Sequence, residues 1–205
     1  MDQKKFQKFF GILVSTVFLI GVLAPNLAQA AQTVSGNEDN IVDIQPITVP
    51  SILTFTYSGE GVFTSSPMDS TGKEGLPYQL QIGDFSGTYF QATPSKPIVA
   101  LSVKGTGNWS VTINPLKSAP VLGAKSGSGK GTSVFNLGKA TSGIKRITWN
   151  HVGEGVFSVL PIDAKGKSKF PLFLKIGNYS GTVTLPSGTQ YFEVKADGDW
   201  KYSIK

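Results

Sequence analysis

Apolar and polar residues alternate along several short segments of this chain, which is the pattern of strands that bury one face. Residues 53–57 and 109–113 show it most clearly, with an apolar side chain at every second position. Clusters of glycine, asparagine, aspartate and serine separate these segments, and such residues favour turns. No segment from residue 38 onward has the 3.6-residue period of a helix. The pattern therefore predicts an all-β protein.

The alternating pattern occurs twice. Residues 59–63, Gly-Glu-Gly-Val-Phe, recur as residues 153–157, 94 positions later. The Asp-x-x-Gly-Lys turn of residues 69–73 likewise recurs at 163–167. Similarity at a fixed period indicates repeated structural units, and each copy has room for about seven short strands.

We therefore predict an all-β fold with two tandem, small antiparallel β-sandwich modules of the jelly-roll or immunoglobulin-like kind. The first copy ends in a Pro-, Gly- and Ser-rich stretch that is typical of a linker. The predicted boundaries are a signal peptide over residues 1–30, a flexible N-terminus over 31–37, module 1 over 38–113, a Gly/Ser/Lys linker over 114–131 and module 2 over 132–205.

The first thirty residues have the three regions of a signal peptide. Lysines precede an apolar run over residues 9–24, and Ala28-Gln29-Ala30 has the small-x-small pattern of a cleavage site. An uncut membrane anchor is the alternative, but the run is shorter than the roughly 20 residues that span a bilayer. We expect cleavage after Ala30, no transmembrane segment in the mature chain, and a secreted or wall-associated bacterial protein. The chain has no cysteine, which excludes disulfides and thiol chemistry.

The three tryptophans and the one histidine fall in phase with buried positions. Trp109, Trp149 and Trp200 are therefore predicted to be core residues, and His151 is predicted to face inward. A serine–histidine site would need an accessible histidine and a nucleophile turn, and no Gly-x-Ser-x-Gly motif is present. We predict no catalytic residues and no enzyme activity, with an unrecognised hydrolase site kept as an alternative.

Ligand contact would need exposed side chains, and five residues are candidates. Glu60 and Glu154 occupy the repeated Gly-Glu-Gly turn, where a solvated turn residue is the alternative interpretation. Tyr89, Phe90 and Phe173 are out of phase with the predicted inward positions of their strands and are expected to be exposed, as sugar binding would require. For the predicted strand at residues 78–82, we expect Tyr78, Leu80 and Ile82 to face inward. In the second copy, Leu172, Leu174 and Ile176 take the same positions.

No cofactor is predicted. Calcium is the metal that best suits the oxygen ligands of loops, and the Asp69, Asp163 and Asp197–Asp199 turns offer carboxylates. The spacing does not match an EF-hand, and aspartates in turns bond their own backbone without a metal.

The two copies differ most in charge. Residues 38–113 carry a net charge of −4, and residues 132–205 carry +5. A basic module outside a cell can attract anionic polymers, although lysine-rich strands also serve as solvated surfaces that resist aggregation. The partners considered are an anionic wall polymer, a glycan or another surface protein, without specific nucleic-acid binding.

The ordered motifs Gly-Glu-Gly-x-Phe, Asn-Tyr-Ser-Gly and Asp-Gly-Asp-Trp resemble a short all-β tandem repeat of exported bacterial proteins of unassigned function. The resemblance is closest over residues 131–205. It implies a fold but no site residues, because its motifs are turn and core positions. We expect a secreted, non-catalytic binding or adhesion protein, with a structural wall- or matrix-associated protein as the alternative.

Overall fold

A computed structural model describes residues 30–205; the predicted signal peptide lies outside this part, apart from Ala30. The described chain is strand-rich, with one 3₁₀ helix at Leu116–Ser118. Within it, no helix has the length and apolar character needed to cross a membrane. The first strands are β1 (Gln32–Gly36), β2 (Asn40–Ile47), β3 (Ser51–Ser58), β4 (Val62–Asp69), β5 (Gln79–Ile82), β6 (Phe85–Gln91), β7 (Ile98–Lys104) and β8 (Asn108–Pro115). The remaining strands are β9 (Ser126–Lys130), β10 (Ser133–Asn136), β11 (Lys145–Val152), β12 (Val156–Asp163), β13 (Phe173–Ile176), β14 (Tyr179–Leu185), β15 (Thr189–Lys195) and β16 (Asp199–Ile204).

Both modules have the same strand order. Module 1 packs a four-stranded sheet β1-β8-β3-β6 on a four-stranded sheet β2-β7-β4-β5. Module 2 repeats this arrangement as β9-β16-β11-β14 and β10-β15-β12-β13. All strand pairs are antiparallel. Eight strands in this order form a jelly roll. The prediction of an all-β protein with two tandem sandwiches is confirmed, and each sandwich is a jelly roll rather than an immunoglobulin-like fold.

Each module buries its own aromatic core between its two sheets. Trp109 lies in the first core, and Trp149 and Trp200 lie in the second, as predicted. His151 is also buried, and its ring stacks on Phe157 with 4.4 Å between ring centroids. A fully buried large side chain contributes about 1.5–3 kcal/mol, so these clusters are the main source of stability.

The segments predicted to be a flexible N-terminus and a linker contain strands. β1 pairs with β8, and β9 pairs with β16 in the same register relative to the tryptophans. Gly36 and Gly129 are directly opposite Trp109 and Trp200, and a Cβ at either glycine would overlap the indole ring. These strands lack an apolar alternation because glycine is needed beneath the rings. Module 1 therefore begins at β1, and module 2 begins at β9.

The predicted inward faces of β5 and β13 are wrong. Leu80 and Ile82 are exposed, and so are their counterparts Leu174 and Ile176. The alternation breaks at the start of β5, where Tyr78 and Gln79 both face the core. That break shifts the phase by one residue, and a one-residue shift moves every later side chain to the opposite face.

The two modules pack against each other. Thr88 N–H donates a hydrogen bond to the Thr132 carbonyl over 3.0 Å. Phe90 N–H donates to the Glu193 carboxylate, also over 3.0 Å. An apolar cluster surrounds these bonds, so the two jelly rolls share a buried module interface. The cluster contains Ile52, Phe90, Leu116 and Ala119 from module 1 and the connecting segment, and Val134, Leu160, Ile162 and Tyr191 from module 2.

Candidate functional site

The repeated Gly-Glu-Gly turn is held by hydrogen bonds from its backbone N–H groups to aspartate side chains, and its glutamates are exposed. The N–H groups of Glu154 and Gly155 both donate to Asp197 Oδ2, over 2.8 and 2.6 Å. In module 1, the Gly59 N–H donates to Asp84 Oδ1 over 3.0 Å. Glu60 and Glu154 project into solvent from these turns. The turn geometry is therefore explained without a ligand at either glutamate.

His151 and Asp197 form the one histidine–carboxylate pair of the described residues. His151 Nε2 lies 3.2 Å from Asp197 Oδ1, without the alignment of a hydrogen bond, and Nδ1 lies 3.0 Å from the Gly177 carbonyl. Burial is the largest influence on the pKa of Asp197 and raises it. The hydrogen bonds from Gly155 and Glu154, helped by His151, outweigh burial and lower that pKa overall.

The same place in module 1 holds a tyrosine. The Tyr57 ring stacks on Phe63 as His151 stacks on Phe157, and the Tyr57 hydroxyl donates to the Thr106 carbonyl over 3.1 Å. Both side chains close the end of the core beside the glycine turn. We therefore interpret His151 as a packing residue, in agreement with its predicted inward position.

The three aromatic ligand candidates are not exposed rings. Tyr89 is only 3% exposed, so the prediction of its exposure is wrong. Phe90 packs in the module interface, and Phe173 packs against Phe157 and Tyr179. Tyr89 faces the core of module 1 and packs on Phe55. Phe90 is covered because module 2 docks on β6, and Phe173 turns inward because of the phase shift in β13. None of the three offers a flat ring to a sugar.

The carboxylates considered for calcium are hydrogen-bonded within turns. Asp69 Oδ1 accepts from the N–H groups of Thr71 and Lys73, and Asp163 Oδ1 accepts from those of Lys165 and Lys167. Among residues 30–205, no three His, Asp or Glu side chains come together in a way that could hold a metal ion.

Module 2 has a cationic concavity at each end of the strands β9, β16 and β11. A groove of about 530 Å³ lies over one end of these strands and includes Lys130, Lys201, Asp199 and Asn150 in its lining. A second concavity of about 340 Å³ lies at the opposite end and is lined by four lysines. We call the set the lysine track: Lys125, Lys130, Lys139, Lys145, Lys201 and Lys205.

The strand geometry places the two concavities at opposite ends of the same three strands. β9 runs from beside Lys125 to Lys130, and at about 3.3 Å per residue these lysines are roughly 16 Å apart along the strand. β16 runs antiparallel to β9, which places Lys205 near Lys125 and Lys201 nearer to Lys130. The track therefore has the length of an extended segment rather than of a small-molecule pocket.

The lysines of the track are not neutralised by carboxylates. The ion pairs of residues 30–205 join Lys96 with Asp69 and His151 with Asp197. Asp199 faces Lys130 across the strand ladder but makes no ion pair with it. Lysines outnumber carboxylates in both concavities, and a concave surface with an excess of one charge concentrates ions of the opposite sign. The arrangement suits an anionic ligand with repeated charges.

Module 1 has no such track, although its strands superpose on those of module 2 in order and register. Each lysine of the track corresponds to an uncharged residue of module 1. In track order, the counterparts are Gln32, Asn37, Pro46, Ser51, Ser110 and Asn114. The charge difference between the modules predicts a basic second copy, but the pairing of β9 with β16 is needed to see that Lys125, Lys130, Lys201 and Lys205 lie on neighbouring strands or at their ends.

No protein-family model matches this chain, and no curated protein matches it. A regulatory subunit of a cAMP-independent protein kinase A from Trypanosoma cruzi, bound to guanosine, is 10% identical with a TM-score of 0.22; the match covers 85% of this chain and 72% of that one. A conserved protein of unknown function from Pseudomonas aeruginosa is 10% identical with a TM-score of 0.23, covering 85% and 80%. Oxalate decarboxylase from Bacillus subtilis is 8% identical with a TM-score of 0.18, covering 94% and 76%. These scores carry no functional argument, and the jelly-roll assignment rests on the strand order.

Proposed function

We propose that this protein is an exported, non-catalytic binding protein whose lysine track holds an anionic polymer at the cell surface. The observation that carries the proposal is the group of lysines without carboxylate ion pairs at the two ends of β9, β16 and β11, in one module only. Export is inferred from the signal-peptide pattern of residues 1–30. We expect the polymer to carry repeated phosphodiester or carboxylate groups, as the polymers of an anionic cell wall do.

An extended polymer fits the site better than a compact anion does. The two concavities are roughly 16 Å apart along the strands, so a ligand that fills both must be long. Contacts at several lysines also suit a weak, multivalent interaction that depends strongly on ionic strength. A structural role in the wall remains the second candidate, and the apolar edge strands described below support it.

The test is retention on purified cell wall before and after its phosphodiester polymers are removed. The track variant replaces Lys130, Lys145 and Lys201 by glutamine. Each lysine at an anionic surface contributes roughly 1 kcal/mol, so we expect the variant to bind at least about tenfold more weakly. Binding of the unchanged protein should fall as salt rises, and it should be lost on the stripped wall.

A matched control distinguishes the effect of the track lysines on wall binding from the effect of the protein's net charge. The control variant replaces Lys73, Lys104 and Lys117 by glutamine, and these exposed lysines lie on module 1 and the connecting segment. It loses the same charge and should bind like the unchanged protein. Equal losses in both variants would show a general charge effect and would reject the site. Retention that is indifferent to salt would reject the proposal as a whole.

A further inference from the structure

Both modules expose the same three apolar side chains at one edge. Val62, Leu80 and Ile82 of module 1 are 49%, 65% and 75% exposed. Their counterparts in module 2 are also valine, leucine and isoleucine, and they are 48%, 67% and 76% exposed. We call these the edge triads; the second consists of Val156, Leu174 and Ile176.

The side chains of the edge triads do not contribute to the core of the sandwich that carries them. Within the same short strands, Gln79 is replaced by Phe173 and Gln81 by Lys175, so the neighbouring positions vary between the copies. The solvent-facing leucine and isoleucine do not. Exposed leucine and isoleucine side chains add nothing to a core, and a contiguous exposed apolar patch marks an interaction surface. Val62 is directly opposite Ile82, so each triad is one continuous patch.

The leucine and isoleucine of each triad lie on a strand with a free edge. β5 is hydrogen-bonded only to β4, and β13 only to β12. A sheet edge with apolar side chains and unpaired backbone groups is a template for pairing with another strand. Natural sheets protect such edges with charges, prolines or bulges, or by keeping the edge strand short. β5 is four residues long and has no charge, proline or bulge, whereas β13 carries Lys175. The edge is therefore suited to a strand from another molecule.

The first triad has the more acidic surroundings, and the modules that carry the two triads have opposite net charges. Asp84 and Glu60 flank the first triad. In module 2 the glutamate is retained as Glu154, whereas Asn178 replaces Asp84 and Lys175 replaces Gln81. The whole modules carry −4 and +5 over residues 38–113 and 132–205. Two copies of module 1 therefore repel each other, and so do two copies of module 2, whereas module 1 of one copy attracts module 2 of another.

We propose that copies of this protein associate head to tail, with the module 1 edge triad of one copy against the module 2 edge triad of the next. β5 of one copy and β13 of its neighbour then extend each other's sheets. Each molecule presents one surface of each kind, so the contact is heterologous and continues into open chains or closes into rings. The module interface within one molecule uses other side chains, among them Phe90, Leu160 and Glu193, and remains intact.

The test measures the mass of the chain from Ala31 by sedimentation over a range of concentrations. The unchanged protein should form assemblies larger than dimers, and salt should weaken them by screening the charges around the triads. The Ile82→Asp and Ile176→Asp variants should each be monomeric, because each lacks one of the two surfaces. An equimolar mixture of the two variants should form dimers and no larger species, since each dimer uses the two remaining intact triads.

Control variants and the mixture decide the outcome. Leu76→Asp and Phe170→Asp change apolar side chains that are 89% and 93% exposed but lie outside the triads, and both should assemble like the unchanged protein. Circular dichroism checks that every variant is folded. A monomeric unchanged protein overturns the proposal. Dimers of either single variant alone also overturn it, because they would show contacts between like triads.

Discussion

At the residue scale, the two modules differ in how well their cores satisfy polar groups. The Ser65 hydroxyl and the Gln79 amide are buried with no hydrogen-bond partner among the described residues. Their counterparts in module 2 are Val159 and Phe173, which pack in the second core. Burying an unpartnered polar group costs about 1–3 kcal/mol. Module 1 therefore has the less favourable core at these two positions.

The Ser65→Val variant should be more stable than the unchanged protein, by about 1 kcal/mol. The substitution removes the unpartnered hydroxyl and introduces the side chain that module 2 buries at the same place. Urea unfolding followed by tryptophan fluorescence measures the change. The reciprocal Val159→Ser variant is the control and should be less stable. A loss of stability in Ser65→Val would mean that the hydroxyl has a partner in solution and would contradict the prediction.

At the element scale, the sequence predicts the strands in which apolar and polar residues alternate. It does not predict the strands that lack this pattern and form because they pair with a neighbouring strand. β3 and β8 have apolar residues at every second position, and they lie in the centre of their sheet. β9 reads Ser-Gly-Ser-Gly-Lys and becomes a strand because it pairs with β16 beneath Trp200. β5 was predicted as a strand with the wrong face inward, since its phase depends on the turn at Tyr78.

The central position of β16 predicts the effect of shortening the chain. β16 lies between β11 and β9, and its Tyr202 is buried in the second core. A chain that ends at Trp200 should have an unfolded module 2, because β9 and β11 lose their shared partner. Limited proteolysis and hydrogen exchange would locate the loss.

A chain that ends at Ile204 is the control for this truncation, since it lacks only the exposed Lys205. It should fold like the full chain. Protection of the β11 amides in the chain ending at Trp200 would refute the prediction.

At the scale of the whole molecule, differences between the copies explain why the modules dock in one order only. Module 2 has Leu160 and Tyr191 where module 1 has Ser66 and Ala100, and these larger residues face the module interface. On the opposite side, Phe90 of module 1 corresponds to Thr184. Module 2 thus lacks an apolar surface on which a further module could dock in the same way.

Glu193 makes this interface sensitive to pH. Burial raises the pKa of Glu193, while Lys195 and the Phe90 N–H oppose the increase. The folded protein then holds the proton more tightly than the unfolded chain does. This contribution to stability is present below the ordinary pKa of a glutamate and is lost as the pH rises through the higher folded value.

The Glu193→Gln variant should remove that contribution. Its amide oxygen can still accept the hydrogen bond from Phe90, but it does not titrate. The free energy of unfolding, measured against pH for both proteins, should fall more steeply with rising pH in the unchanged protein. Glu154→Gln, at an exposed turn, is the control and should follow the unchanged protein. Parallel curves for Glu193→Gln and the unchanged protein would be evidence against a buried, titrating Glu193.

The sequence by itself determined the fold class, the repeat and most of the core. Alternation and turn residues depend on neighbours along the chain, so Trp109, Trp149 and Trp200 could be placed correctly from local pattern alone. The tertiary structure decided which segments without a pattern become strands, which faces Tyr89 and Leu80 occupy, and which lysines share a surface. Those outcomes depend on pairing between distant strands and on docking between modules, and neither leaves a periodic signal in the residues involved.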